Sequence, residues 1–320
     1  SVYTVAPRAG PDVGVGIRLG LKRRWVNRSG HKWQNELIVA QRLKSLSSQY
    51  TIPMPGPNQR SFNFGGSYRD ADTRSSHSRT LELVGNETRQ WHGWTRTLGV
   101  HVLAGTFTVG QRGNEPRDAP GVQHGRSTMV FAESSLLKKQ ADNPDFVRRG
   151  WSLSLSARST LGEVLSATHY TQVLADAKWI HALGQSNRLI LRGAAGSSWV
   201  GDFSELPPPL RFFAGGARSV RGYGYQAIGP RNSHDRVMGG RNLLVASTEL
   251  EHYFTRNWGM AAFVDTGNAF NGHDYRPKIG AGLGLRWRSP VGMIRVDLGV
   301  PVRDSHSHGV HLHLVIGPDL

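Results

Sequence analysis

Residues 211–230 read RFFAGGARSVRGYGYQAIGP, and the run Ser219-Val220-Arg221-Gly222-Tyr223 holds one cation among glycines and aromatics. So much glycine and aromatic surface makes a loop compact, and a guanidinium inside it is partly desolvated and needs a fixed carboxylate. Two later segments offer acids. In LLVASTELEHYF, Glu249 and Glu251 share the parity opposite Leu244, Ala246 and Leu250; in MAAFVDTGNAF, Phe263 and Asp265 share the parity opposite Met260, Ala262 and Val264. Asp265 is the favoured partner, because Gly267 and Asn268 put it near a strand's end, where an inserted loop tip reaches. A carboxylate accepts the planar arginine fork through two parallel hydrogen bonds, which lysine cannot offer. Spacing alone leaves open that Arg221 is a solvated loop residue and Asp265 a turn residue.

Other residue types that could do chemistry are arranged against it. In DSHSHGVHLH, His306, His308, His311 and His313 form two i, i+2 pairs, a spacing that can share a metal on a strand. The pairs have opposite parities across a loop and no evident carboxylate to orient them, so neither a metal site nor any cofactor is expected. No serine, histidine and acid fall in triad spacing, and no nucleophile elbow occurs. The glycines of GVGIRLG and GAGLGL lack the following helix that a phosphate cradle needs. The protein reads as non-enzymatic. Cysteine is absent, which excludes disulfides and thiolate metal sites.

The elements around these residues have a period of two. In KIGAGLGLRWRSP, Ile279, Ala281, Leu283, Leu285 and Trp287 alternate with Lys278, Gly280, Gly282, Gly284, Arg286 and Arg288. After the turn Ser289-Pro290-Val291-Gly292, Ile294, Val296, Leu298, Val300 and Val302 oppose Met293, Arg295, Asp297, Gly299 and Arg303. DVGVGIRLGLKRRW repeats the pattern near the start, with Val13, Val15, Ile17, Leu19 and Leu21 on one face. Arginines alternating with glycines suit a crowded, wet interior, with the apolar parity against lipid. No apolar run is long enough for a membrane helix.

The fold class predicted is therefore all-β: a transmembrane antiparallel barrel filling 1–320 as one domain. Six strands are read after Leu210, at 211–217, 241–254, 258–268, 278–288, 293–303 and 310–317, and the first is placed at 12–22. With about ten more before them the count is about sixteen. An even count leaves both termini on one side. Short connections such as TRNW, SPVG, IPMPGPN and ELPPPL contrast with long polar ones, QRGNEPRDAPGVQHG and the stretch after Arg221, the pattern of a bacterial outer-membrane protein. The nine tryptophans suit interfacial girdles. A formal charge of +16 predicts anionic partners, namely phospholipid headgroups and lipopolysaccharide phosphates, and in a barrel nucleic acid is not among them.

Taken in order, FFAGGARSVRGYGYQAIGP, GGRNLLVASTELEHYF, AAFVDTGNAF and GLGLRWRSPVGMIRVDLGVPV resemble the barrel of the outer-membrane assembly superfamily. Its branches include BamA, TamA and the two-partner secretion transporters. GPDL and STELEHYFTRNWGMAAFVDTGNAF bring the resemblance nearer the TamA branch, and GVGIRLGLKRRWVNRSGH resembles that branch's first hairpin. The resemblance implies sixteen strands, POTRA domains upstream, and a sixth loop folded into the lumen. It makes Val220, Arg221, Gly222 and Tyr223 the tip of that loop. It pairs Arg221 with Asp265 beside Phe263 and brings Glu249 near. It implies insertion of client outer-membrane proteins, autotransporters among them, with a periplasm-spanning TamB-like partner and a part in phospholipid movement.

A barrel closes where its first and last strands meet. In GVHLHLVIGPDL, Val310, Leu312, Leu314 and Ile316 alternate outward until Gly317-Pro318. Proline gives no N–H to a ladder, so pairing there is short. The expected seam runs between Val15, Ile17 and Leu19 on one side and Leu312, Leu314, Ile316 and Gly317 on the other. A seam that opens sideways exposes an edge that templates a client strand; the plainer reading makes Gly317-Pro318 only a strand terminator. The other function weighed is two-partner-secretion-type export of an unfolded chain through the lumen.

Overall fold

The computed structural model describes residues 1–10, 13–110, 119–144, 146–162, 164–289, 292–302, 304 and 309–320, with backbone alone at 7–10. Sixteen strands run in chain order: β1 Val2–Gly10, β2 Gly14–Arg23, β3 Lys32–Ala40, β4 Leu43–Pro53, β5 Ser61–Asp72, β6 Ser76–Trp91, β7 Trp94–Val109 and β8 Gln123–Ala141. They continue as β9 Gly150–Thr160, β10 Tyr170–Leu183, β11 Asn187–Val200, β12 Asn242–Tyr253, β13 Trp258–Phe270, β14 Lys278–Ser289, β15 Gly292–Val302 and β16 His311–Gly317. Each pairs antiparallel with its chain neighbours in a single sheet. β1 and β16 lie near one another, but no ladder joins them among the described residues.

Alternation sorts the two faces. On β14, Ile279, Leu283, Leu285 and Trp287 are exposed while Arg286 is fully buried. On β12 and β13, Leu244, Leu250, Met260 and Val264 are exposed while Glu249, Glu251, Phe263 and Asp265 are buried. Apolar side chains facing out and charges facing in invert a water-soluble protein, as a barrel wall in lipid requires.

Two expectations are corrected. The segment 211–217 is not a wall strand: Phe212 and Ala214 make only isolated bridges, to Gly240 and Ile228. Its glycines and following turns fold it inward as part of the connection 201–241, here loop 6, which also takes in ELPPPL through two 3-10 turns at Phe203–Glu205 and Pro208–Leu210. Eleven strands, not about ten, precede it, so the total of sixteen stands.

The second correction concerns the seam. Val15, Ile17 and Leu19 sit on β2, paired on both sides, with Ala9, Pro7 and Val5 of β1 and, for Ile17 and Leu19, with Val39 and Leu37 of β3. The edge strand is β1, where VYTVAPRAG carries a proline and hides its alternation. An edge strand tolerates proline because one side of its backbone has no ladder to feed. Leu312, Leu314, Ile316 and Gly317 do lie on the other edge, β16. The His306 and His308 pair lies outside the described residues.

Both termini stand at the same end of the sheet, opposite loop 6. Trp25, Trp33, Trp91, Trp94, Trp151, Trp179, Trp258 and Trp287 cluster at or near the terminal end, and only Trp199 lies toward the other. Trp258 and Trp287 stack at 5.3 Å on adjacent strands.

Candidate functional site: loop 6 docked on a charged inner wall

The tip of loop 6 lies against the inner faces of β12 to β16. Register puts the recipients side by side: Ser247 opposite Asp265, Glu249 opposite Phe263, Asp265 opposite Gly280, and Asp297 between Gly284 and His313. All share the inward parity, so one patch of wall carries several acids at once.

Arg221 answers them with every donor it has. Its backbone N–H and Nε donate to Asp265 Oδ2 at 2.9 and 2.8 Å, and Nη2 donates to Oδ1 at 3.0 Å. Nη1 donates to Glu249 Oε2 at 2.6 Å and Asp297 Oδ2 at 3.0 Å. The guanidinium lies 3.5 Å from the centroid of the Phe263 ring, which floors the site. Burial works to strip this proton, and the hydrogen bonds that Arg221 donates to Asp265 and the charge of Glu249 outweigh it, so Arg221 holds its proton more tightly than a free guanidinium. Val220 is fully buried with Ala214, Tyr223, Ile228 and Val245, and Tyr223 donates to the Ile279 carbonyl at 3.3 Å. Gly222 N–H donates to His313 Nε2 at 3.2 Å. The four tip residues and Asp265, Phe263 and Glu249 are thus brought together; Val15, Ile17 and Leu19 are outside this patch.

The wall strand β14 is built to receive the loop. A Cβ at Gly280 would sit 1.7 Å from the Arg221 carbonyl oxygen, and one at Gly284 would sit 1.9 Å from Asp297 Oδ1. Gly280 therefore makes room for the docked backbone of loop 6, and Gly284 for the Asp297 carboxylate that Arg221 meets.

Sequence reasoning missed that a second arginine shares these acids. Arg286 donates to Glu249 Oε1 and Asp297 Oδ1 at 2.6 Å each, so both carboxylates bridge Arg221 and Arg286. Arg286 Nε also donates to Glu251 Oε1 at 2.9 Å, whose Oε2 accepts from Arg188 at 2.5 Å. Arg188 reaches Asp319 Oδ2 at 2.8 Å, and Arg295 and Lys178 also bond Asp319. Burial opposes ionisation of Asp319, and the Arg188 charge prevails, holding its carboxyl below the usual range. A continuous ladder of ion pairs thus runs down the inner wall from loop 6 to the residue after Pro318. The signal was present: Arg286 and Asp297 have the same inward parity as Asp265, but parity does not say which side chains touch.

Replacing Arg221 by lysine keeps the charge and loses the fork. We expect Arg221→Lys to weaken docking by about 2 kcal/mol and Arg221→Ala by about 3–5 kcal/mol. Hydrogen exchange at 219–223 in detergent measures this. Equal protection in both variants and the parent would contradict it.

This architecture, with an apolar outside, a charged inside and a loop folded onto it, defines a membrane-spanning β-barrel. The chain belongs to the Omp85 superfamily: residues 26–318 match the Omp85 superfamily domain. As in that superfamily, it is a non-enzymatic barrel of the bacterial outer membrane. It is 31% identical over 149 residues to the outer membrane protein assembly factor BamA of Nitratidesulfovibrio vulgaris, covering 43% of this chain and 19% of that protein. It is 32% identical over 123 residues to outer envelope protein 39, chloroplastic, of Arabidopsis thaliana, covering 35% of this chain and 31% of that protein. The chain therefore spans less than a third of each of these relatives. In fold it is similar to BamA from Haemophilus ducreyi lacking POTRA domains 1–3, with TM-score 0.79 and 18% identity, covering 96% of this chain and 68% of that one. It is also similar to CdiB from Acinetobacter baumannii, with TM-score 0.62 and 14% identity, covering 98% and 58%.

Proposed function

We propose that this barrel inserts and assembles outer-membrane proteins, autotransporters among them, through the seam between β1 and β16. In this reading it follows POTRA domains and works with a TamB-like partner that spans the periplasm, in contact with phospholipid and lipopolysaccharide. The observation that carries it is the seam itself. β16 has only seven residues, and its last ladder pair is Met293 with Gly317. Gly317 then adopts φ +148°, a value open to glycine, and the chain leaves the wall so that Asp319 is buried among inner-wall cations. Two strand edges side by side without a ladder form a template for an incoming strand.

The lumen-side position of loop 6 separates this from the second reading, export of an unfolded chain through the lumen. With its tip fixed to five inner-wall strands, the resting barrel is expected to conduct poorly in planar bilayers. The direct test uses the absence of native cysteine. One cysteine placed in β1 and one in β16, oxidised to a disulfide, is expected to abolish client insertion, with recovery on reduction. Undiminished insertion by the oxidised protein would sink the proposal.

A further inference from the structure

Between loop 6, the last strand and two turns on the far side of the seam lies a cavity of about 40 Å³. Its walls include Arg42, Arg74, Gly224, Tyr225, His311 and His313. Where one water needs about 10–15 Å³, such a space holds about three waters or one small tetrahedral ion. Its chemistry is one-sided. Arg42 and Arg74 come from the β3–β4 and β5–β6 turns, and neither forms an ion pair with a carboxylate among the described residues.

His313 adds a second, independent sign. It is 2% exposed, and its Nε2 accepts the Gly222 N–H, so the neutral ring carries its proton on Nδ1. That Nδ1 has no hydrogen-bond partner. A buried N–H left unpaired is costly and calls for an acceptor. Gly224 completes the cradle: a Cβ there would lie 2.8 Å from Arg74 Nε, so glycine lets that guanidinium rest against loop 6.

We propose that this cavity binds one small oxyanion, with inorganic phosphate as the type, held by Arg42, Arg74 and the Nδ1–H of His313. Arg42 and Arg74 belong to the N-terminal side of the seam, and His313 to its C-terminal edge. A bound ion therefore ties the two sides together at the loop-6 end, whichever polypeptide the barrel handles. Loop 6 covers one side of the cavity through Gly224 and Tyr225, and a volume of about 40 Å³ favours a free ion over the phosphate of a lipid.

The test is thermal unfolding of the detergent-folded chain, read by heat-modifiable gel mobility, in phosphate against chloride at matched ionic strength. A ligand binding only the folded state at about a hundred times its dissociation constant raises the midpoint by about 5 °C. The Arg42→Gln/Arg74→Gln double variant, altered only at turns, is expected to unfold normally in chloride and lose the phosphate shift. Arg276→Gln, an exposed change at another turn, is expected to keep it. Equal midpoints in phosphate and chloride, or a full shift in the double variant, overturn the proposal. A shift produced by lipid A micelles and not by inorganic phosphate overturns the assignment to a free ion.

Discussion

Arg286→Leu is expected to destabilise the barrel by at least about 3–5 kcal/mol, the usual penalty for orphaning a buried charge. Three carboxylates depend on this side chain: Glu249, Glu251 and Asp297 all accept from it, and all are at least nine-tenths buried. Arg221 still reaches Glu249 and Asp297, and Arg188 still reaches Glu251. Three negative charges would then face one another across the vacated space. Urea unfolding in detergent, followed by tryptophan emission, should show the midpoint fall. Adding Glu251→Gln to the same chain should restore part of it, because the pair is coupled through a shared charge. If Arg286→Leu unfolds within about 1 kcal/mol of the parent, the ladder carries far less of the stability than its geometry implies.

Gly280→Val should expel the tip of loop 6 without dismantling the wall. The new Cβ would overlap the Arg221 carbonyl oxygen at 1.7 Å, and Gly280 is fixed by ladders to Asp265 on one side and Pro301 on the other. The loop is the only part free to give. Its departure forfeits the contacts of Arg221 with Asp265, Glu249 and Asp297 together. Trypsin should then cut after Arg218 or Arg221, at least tenfold faster than in the parent, given that each 1.4 kcal/mol of lost docking multiplies opening about tenfold. Gly193→Ala is the matched control, since its added Cβ meets nothing nearer than the Val245 carbonyl at 3.7 Å. Parent-like resistance in Gly280→Val would show that loop 6 is not held in that groove.

What could be read from residues alone follows from which physical rule was local. The inward and outward faces of β12 to β15 were legible because alternation is a property of one strand. Arg221 and Asp265 were legible in part: a cation in a compact glycine-aromatic run asks for an inward acid, but spacing left its solvated alternative open, and the resemblance singled out this pair among the arginines of the loop. Arg286, Arg188 and Asp319 were hidden, because their meeting depends on register across strands far apart in the chain: Arg188 and Asp319 are separated by 131 positions. β1 was overlooked because Pro7 breaks the apparent alternation, an irregularity that an edge position forgives. Gly280 read only as one more small residue alternating with the apolar parity, because the loop that approaches it is 59 positions away in the chain.

The unequal placing of the tryptophans has a consequence for how the barrel enters a bilayer. Indoles settle at the water–hydrocarbon boundary and resist being dragged through it. With eight of them gathered at or near the end that holds the termini, that rim works as a float collar, while the opposite rim has a single indole to hold it back. Passage with the loop-6 end leading is the cheaper direction, so handedness in the membrane is written into the chain by where it keeps its heaviest aromatic ballast.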